Sequence, residues 1–207
     1  MREDGVWFVD STQGAATLVG ALGNVGEVVL GLDLPATRRA LEVERTLTPE
    51  LNWLKDHALF GRPTVPMAMI LEWACALGGR TVEDLTLYDG VVVEKPTRVR
   101  LRIDGDKFAV YAENKLAWKA VLTDEVLPRV QVQAVGDDTL PMTVEAFYKA
   151  TFHGPTLRGL LRVTALGDKG VSGVVRRGLG QDWGEAPWAL SPLAIDSALQ
   201  LAAYWSI

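Results

Sequence analysis

The chain has 207 residues, 48% hydrophobic and 23% charged, enough for one large domain or two small ones with a substantial core. Its formal net charge of −5 argues against overall attraction to nucleic acid, and a lone cysteine, Cys75, excludes an intrachain disulfide and a cysteine-based zinc site. Residues Met1 to Asp4 lack the basic-then-apolar pattern of a signal peptide, and no apolar run is long enough to span a bilayer. The expectation is a soluble, cytoplasmic protein that binds neither membrane nor nucleic acid.

Val6 to Val9 reads as a short strand and opens a lead-in segment that extends to residue 26. Gly20, Gly23 and Gly26 lack the GxGxxG spacing of a dinucleotide loop, so a connector is the better reading. Glu27–Leu32 and Leu41–Leu47 follow as strands, and Pro49 to Leu54 as a short helical turn. The chain then reaches Asp56-His57-Ala58-Leu59-Phe60-Gly61-Arg62-Pro63-Thr64-Val65-Pro66 and runs into the apolar stretch Met67–Leu77. Pro66 suits the first position of a helix, where its missing N–H costs nothing. Glu72 is the only charge between Met67 and Leu77, which predicts a helix buried all round, stopped at Gly78-Gly79. A histidine held over the start of such a helix suits proton chemistry on an acyl group. Imidazole serves as a base near neutral pH, and free N–H groups at the helix start can hold a developing oxyanion.

Strands are predicted next at Leu85–Tyr88, Val91–Glu94, Val99–Ile103, Phe108–Tyr111 and Leu116–Leu122. Arg98, Arg100 and Arg102 alternate with Val99, Leu101 and Ile103, which places three arginines on one sheet face. That face is either a solvated surface or a docking patch for an acidic carrier. A polar stretch over residues 127–140 reads as a link. Val144–Thr151 is predicted helical, and Leu160–Thr164 with Gly170–Arg176 as a hairpin. Pro192 opens a second apolar helix, on which Asp196 and Gln200 stack at i,i+4. Among the neighbours Leu193, Ile195, Ala198 and Leu199, that carboxylate carries a desolvation cost that a function would explain.

Three of these stretches carry a resemblance. His57-x-x-x-Gly61-x-x-x-x-Pro66 is similar to the HxxxGxxxxP signature of polyketide synthase dehydratase domains, and Asp196-x-x-x-Gln200 to their DxxxQ/H signature. Between them, Phe152-His153-Gly154-Pro155 keeps only the glycine and proline of the family's GYxYGPxF, with His153 at the usual second tyrosine. That form resembles the dehydratase-type domains of polyunsaturated fatty-acid and enediyne synthases. The resemblance implies an α+β double hotdog, in which two antiparallel sheets each wrap an apolar helix. Residues 27–126 would form the first hotdog and residues 141–207 the second. The chain ends soon after the second helix, so the second hotdog is expected to be short of strands and to leave Ala198, Leu199, Leu201, Ala202 and Tyr204 uncovered.

The activity implied is dehydration of a 3-hydroxyacyl thioester carried on the phosphopantetheine arm of acyl carrier protein. His57 would be the base and Asp196 the acid. Gly61 would bond the thioester carbonyl, and Pro66, His153, Gly154, Pro155 and Gln200 would shape the substrate site. His153 either lines the pocket or holds its loop. Glu72 stands where single-hotdog enzymes carry their acid and is expected here to be structural. No metal or organic cofactor is expected. Acyl carrier protein, other synthase domains and a second copy in a homodimer are the partners implied. The alternatives are a cyclase or isomerase using the same His57/Asp196 pair, and a non-catalytic hotdog that binds acyl chains or scaffolds a synthase.

Overall fold

A single run of apolar residues with one buried acid becomes the helix around which the first half of the chain is wound. The computed structural model describes residues 40–78, 81–126, 135–136, 138–176 and 188–207. The strands predicted at Val6–Val9 and Glu27–Leu32, and most of the 127–140 link, lie outside the described residues.

Strand β1 (Leu41–Leu47) leads to helix α1 (Asn52–Lys55), and the histidine loop forms a two-strand hairpin, β2 (Ala58–Leu59) and β3 (Arg62–Pro63). Phe60 and Gly61 at its tip both have positive φ, 52° and 78°, the mirror-image turn that matches strand twist. Helix α2 (Met67–Ala76) follows, with Pro66 as its N-cap, one residue earlier than the sequence suggests. Then come β4 (Thr81–Leu87), β5 (Thr97–Asp104), β6 (Lys107–Ala112) and β7 (Lys115–Thr123). These strands with β1 form one antiparallel sheet in the order β1-β5-β6-β7-β4.

Alternation decides what the sheet covers. Val99, Leu101, Phe108, Val110, Ala117 and Ala120 point inward and pack with Met69, Ile70, Trp73 and Ala74 of α2 in one core. The helix is less enclosed than its composition predicts: Leu71 and Cys75 are half-buried and Ala76 is exposed, because the sheet wraps it from one side. On the outer face the three arginines meet acids. Arg100 pairs with Glu42 at 3.5 Å, Arg98 with Glu44 at 3.9 Å and Arg102 with Asp104 at 2.8 Å. Local pairing across β1 and β5 therefore offsets much of the positive charge that a carrier would meet.

Two predicted strands differ from the structure. β4 begins four residues before the expected Leu85, with an irregularity between Glu83 and Thr86 where Asp84 has a φ of 49°. Val91–Glu94 is extended but does not join the sheet. The Val91 carbonyl accepts from Val65 N–H (2.9 Å), and Val93 N–H donates to the Pro63 carbonyl (2.8 Å). The segment is a strap backing the histidine loop, because its hydrogen bonds are spent there.

The second half contains α3 (Val144–Ala150), a 3-10 turn at Pro155–Leu157, the hairpin β8 (Leu160–Gly167) and β9 (Gly170–Val175), and α4 (Pro192–Trp205). Thr143 caps α3 and Ser191 caps α4 through their hydroxyls, which accept from Ala146 N–H and Ala194 N–H. α4 lies on β8, β9 and also on α2. Its Leu193 and the turn's Leu157 join the core of the first half, whereas Phe147, Tyr148, Leu160, Val163 and Tyr204 form a smaller second core. The architecture is a double hotdog whose second sheet has two described strands. Tyr204, expected to be uncovered, is buried by Phe147 and donates its hydroxyl to the Met142 carbonyl. Leu201 is half-buried too, since β9 reaches it, while Ala198, Leu199 and Ala202 remain exposed. No helix among the described residues is long and apolar enough to cross a membrane.

Candidate active site

Helix α1 ends at Asp56, and the next residue, His57, is turned inward and is 8% exposed. Its Nδ1–H donates to the carbonyl of Thr64 across the β2–β3 hairpin at 2.7 Å. That bond fixes the ring and leaves Nε2 as the free lone pair, the requirement for a base. Thr64 N–H returns a bond to the His57 carbonyl at 2.9 Å, so the hairpin closes on the histidine from both sides.

The second half brings its own histidine to the same place. His57 and His153 form an isolated antiparallel β-bridge, with ring centroids 5.9 Å apart. Asp56 pins the two loops together. Its carbonyl accepts from Gly154 N–H at 2.8 Å, and its carboxylate from Thr156 N–H at 2.6 Å. A Cβ on residue 154 would fall on the Asp56 carboxylate, which gives that glycine a packing reason. Phe152 stacks on His153 at 4.1 Å and meets the edge of His57 at 5.1 Å.

From α4, Asp196 completes the group. One ligand-capable atom from each of His57, His153 and Asp196 lies within 4.8 Å of the others, and His153 Nε2 is 3.8 Å from Asp196 Oδ2. Gln200, one turn along α4, donates to Asp196 Oδ2 at 2.6 Å and to the Leu157 carbonyl at 2.8 Å. Its Oε1 accepts from the Tyr148 hydroxyl at 2.7 Å, and that hydroxyl accepts from Leu160 N–H at 2.8 Å. Both amide protons of Gln200 are thus committed within the protein, one of them to the aspartate.

Burial sets the charges. It pushes the His57 imidazole below its usual range, against the opposing pull of the Thr64 carbonyl and the Asp196 charge. It pushes the Asp196 carboxyl up, although the Gln200 bond and His57 oppose the shift. His153 is lowered to about 4, by burial first and then by His57. A neutral imidazole therefore faces a carboxyl that holds its proton in an unusually high range.

These groups open on a mostly apolar cavity of about 360 Å³, which Leu59, Val65, Met67, Leu87, Trp118 and Leu199 also line. The structure gathers His57, His153, Asp196 and Gln200 at it. Gly61 is elsewhere: it is exposed at the hairpin tip, outside the cavity lining, and its N–H donates to the Ala58 carbonyl at 3.3 Å. Pro66, Gly154 and Pro155 are not among the lining residues either; they shape the backbone that presents the histidines. Glu72 is buried but turned away from the cavity, where its carboxylate accepts Ala189 N–H at 2.9 Å and Leu190 N–H. Those bonds tie it to the approach to α4. Trp118, Tyr148 and Asp56 were not legible as site residues in the sequence. Trp118 lines the cavity from the sheet with its indole N–H buried and unbonded.

Comparison with known proteins bears on the fold. Residues 29–113 match the family model described as the polyketide synthase dehydratase domain. No curated protein matches the sequence. An isomerase-inactive variant of the first dehydratase domain of GphF is 20% identical with a TM-score of 0.65, covering 84% of this chain and 69% of that one. The dehydratase domain of PpsC from Mycobacterium tuberculosis, in complex with C12:1-CoA, is 21% identical with a TM-score of 0.62, over 80% and 68% of the two chains. The dehydratase domain from the CurK module of the curacin polyketide synthase is 17% identical with a TM-score of 0.62, over 86% and 73%.

Proposed function

We propose that this polyketide synthase dehydratase-type domain removes water from a 3-hydroxyacyl thioester delivered by acyl carrier protein. The observation that carries the reading is the meeting of His57 and Asp196, from opposite halves of the chain, at one apolar cavity. His57 Nε2 takes a proton from the α-carbon, and the electron pair moves toward the thioester carbonyl as an enolate-like oxyanion. The pair then returns to form the α,β double bond while the β-hydroxyl departs. Asp196 supplies the proton that makes that hydroxyl water. The two proton transfers leave an imidazolium and a carboxylate, which exchange their proton to restore the site.

Each part of the site supports this assignment. The Thr64 carbonyl holds the imidazole in the tautomer that has Nε2 free. Gln200 occupies Asp196 Oδ2, which leaves the other oxygen to carry the acidic proton. Met67 lines the cavity as the first residue of α2, where the backbone N–H has no acceptor one turn back in the helix and can stabilise the oxyanion in place of Gly61. The apolar walls suit an acyl chain and exclude competing water. On this reading the chemistry comes from these side chains and the backbone N–H at the start of α2, and the phosphopantetheine arm brings the substrate. Acyl carrier protein and neighbouring synthase domains are the partners that this reading requires.

The test is direct. Incubation with a 3-hydroxyacyl thioester on acyl carrier protein should yield the conjugated enoyl thioester, and His57→Ala should abolish it with acyl binding retained. A product with its double bond out of conjugation, or a cyclic ether, would replace this reading with the isomerase or cyclase one. Binding without turnover would support an acyl-binding module.

A further inference from the structure

The chain contains two histidines, and both stand in this site beside a buried carboxylate. Dehydration as described above uses one imidazole. His153 is left with no assigned step, its Nδ1 buried and unbonded and its Nε2 3.8 Å from Asp196 Oδ2.

We propose that His57, His153 and Asp196 form a binding site for a divalent first-row transition ion, with Zn2+ as the occupant, and that a bound ion blocks turnover. The second clause rests on the dehydratase reading; the first does not. Two imidazoles and one carboxylate are the donor set of open zinc and non-haem iron sites, with three protein ligands and at least one free position. The ligand atoms lie within 4.8 Å of one another, whereas tetrahedral ligands about 2.1 Å from zinc stand about 3.4 Å apart. Closing that gap asks mainly for movement of His153, whose ring has no hydrogen bond at Nδ1, toward His57 and Asp196 across an existing cavity.

The surroundings already resemble the outer shell of a metal centre. A metal-bound histidine usually donates its other ring N–H to a carbonyl, as His57 Nδ1 does to Thr64. A ligating carboxylate is usually held by a hydrogen bond, as Asp196 is by Gln200, which Tyr148 and Leu157 hold in turn. The loops carrying the two histidines are pinned by Asp56. An ion bound here would occupy the His57 lone pair and the Asp196 carboxylate, the two groups that must exchange protons with substrate. The free ligand position would face the apolar cavity.

The experiment uses the full chain, stripped with a chelator and titrated with Zn2+ while the imidazole nitrogens are followed by long-range 1H–15N NMR. With two histidines in the chain, the spectrum of His153→Gln assigns both imidazoles. Both imidazoles should shift together and saturate at one equivalent, and Co2+ should give the visible absorption of a four- or five-coordinate ion that Zn2+ displaces. His153→Gln should weaken binding at least tenfold, with near-UV circular dichroism confirming the fold. Turnover should fall in step with Zn2+ occupancy and return with chelator. Unshifted imidazoles, a shift of only one, or equal affinity in His153→Gln would overturn the site. Binding without any dehydration in the metal-free chain would sink the proposed function and leave the metal site standing. Dehydration indifferent to a saturated site would overturn the blocking role.

Discussion

The hydroxyl of Tyr148 ties the second core to the candidate site. It donates to Gln200 Oε1 at 2.7 Å and accepts from Leu160 N–H at 2.8 Å, and the residue is 7% exposed. Tyr148→Phe keeps the ring, and so keeps its packing against Phe147. It strips a partner from one buried donor and one buried acceptor. Each such loss costs about 1–3 kcal/mol, so a total of about 2–6 kcal/mol is expected. At roughly 2–4 °C per kcal/mol for a chain of this size, the melting temperature should fall by about 4–24 °C. Gln200 would then be free to turn its amide away from Asp196, and the acid would lose its orientation. A kcat about tenfold lower, with KM little changed, is the kinetic counterpart. Thermal melts and single-turnover dehydration on the same preparation decide it. A melting temperature within about 1 °C of the parent would refute the hydrogen-bond accounting. A large drop with unchanged kcat would refute the link through Gln200 to Asp196.

Further outcomes follow from the same geometry. Glu72→Gln should lower stability, since one of its oxygens would become an amide facing the backbone N–H groups of Ala189 and Leu190, while kcat changes much less; a folded variant as inactive as His57→Ala would move the acid role to Glu72. Gly154→Ala should force apart the loops at Asp56 and reduce both melting temperature and turnover, and parental values for both would show that the contact yields freely. The pH–rate profile should have its acid limb below the usual histidine range and its alkaline limb above the usual carboxylate range, as macroscopic values of the His57/Asp196 pair; limbs at ordinary values would deny the effect of burial. Because His153 is lowered to about 4 in the fold, the unfolded chain binds more protons between about pH 6.5 and 4, and stability should fall as pH falls through that window. Urea midpoints against pH would measure it, and His153→Gln should flatten the slope.

The parts legible in the sequence were those whose meaning is local. Asp196 and Gln200 could be paired from i,i+4 spacing, and the hydrogen bond between them follows from it. His57 stood out against an apolar helix, and strands such as Leu41–Leu47 were legible from alternation and turn residues. What escaped depends on contacts between distant segments. Tyr148 reaches Gln200 across 52 positions, and Asp56 reaches Thr156 across 100; neither has a local sign. Val91–Glu94 has the residues of a strand, but nothing in its alternation reveals that its partner is the histidine loop. Gly61 was assigned to the substrate by its place in a signature, whereas its positive φ serves the tip of a hairpin.

The bridge between His57 and His153 puts one half of the site on each half of the chain. On the proposed reading, the base comes from one half and the acid from the other, so catalytic competence would be a property of an interface inside one polypeptide. A substitution that loosens the Asp56 bonds to Gly154 and Thr156 would then lower turnover without touching a residue that meets substrate.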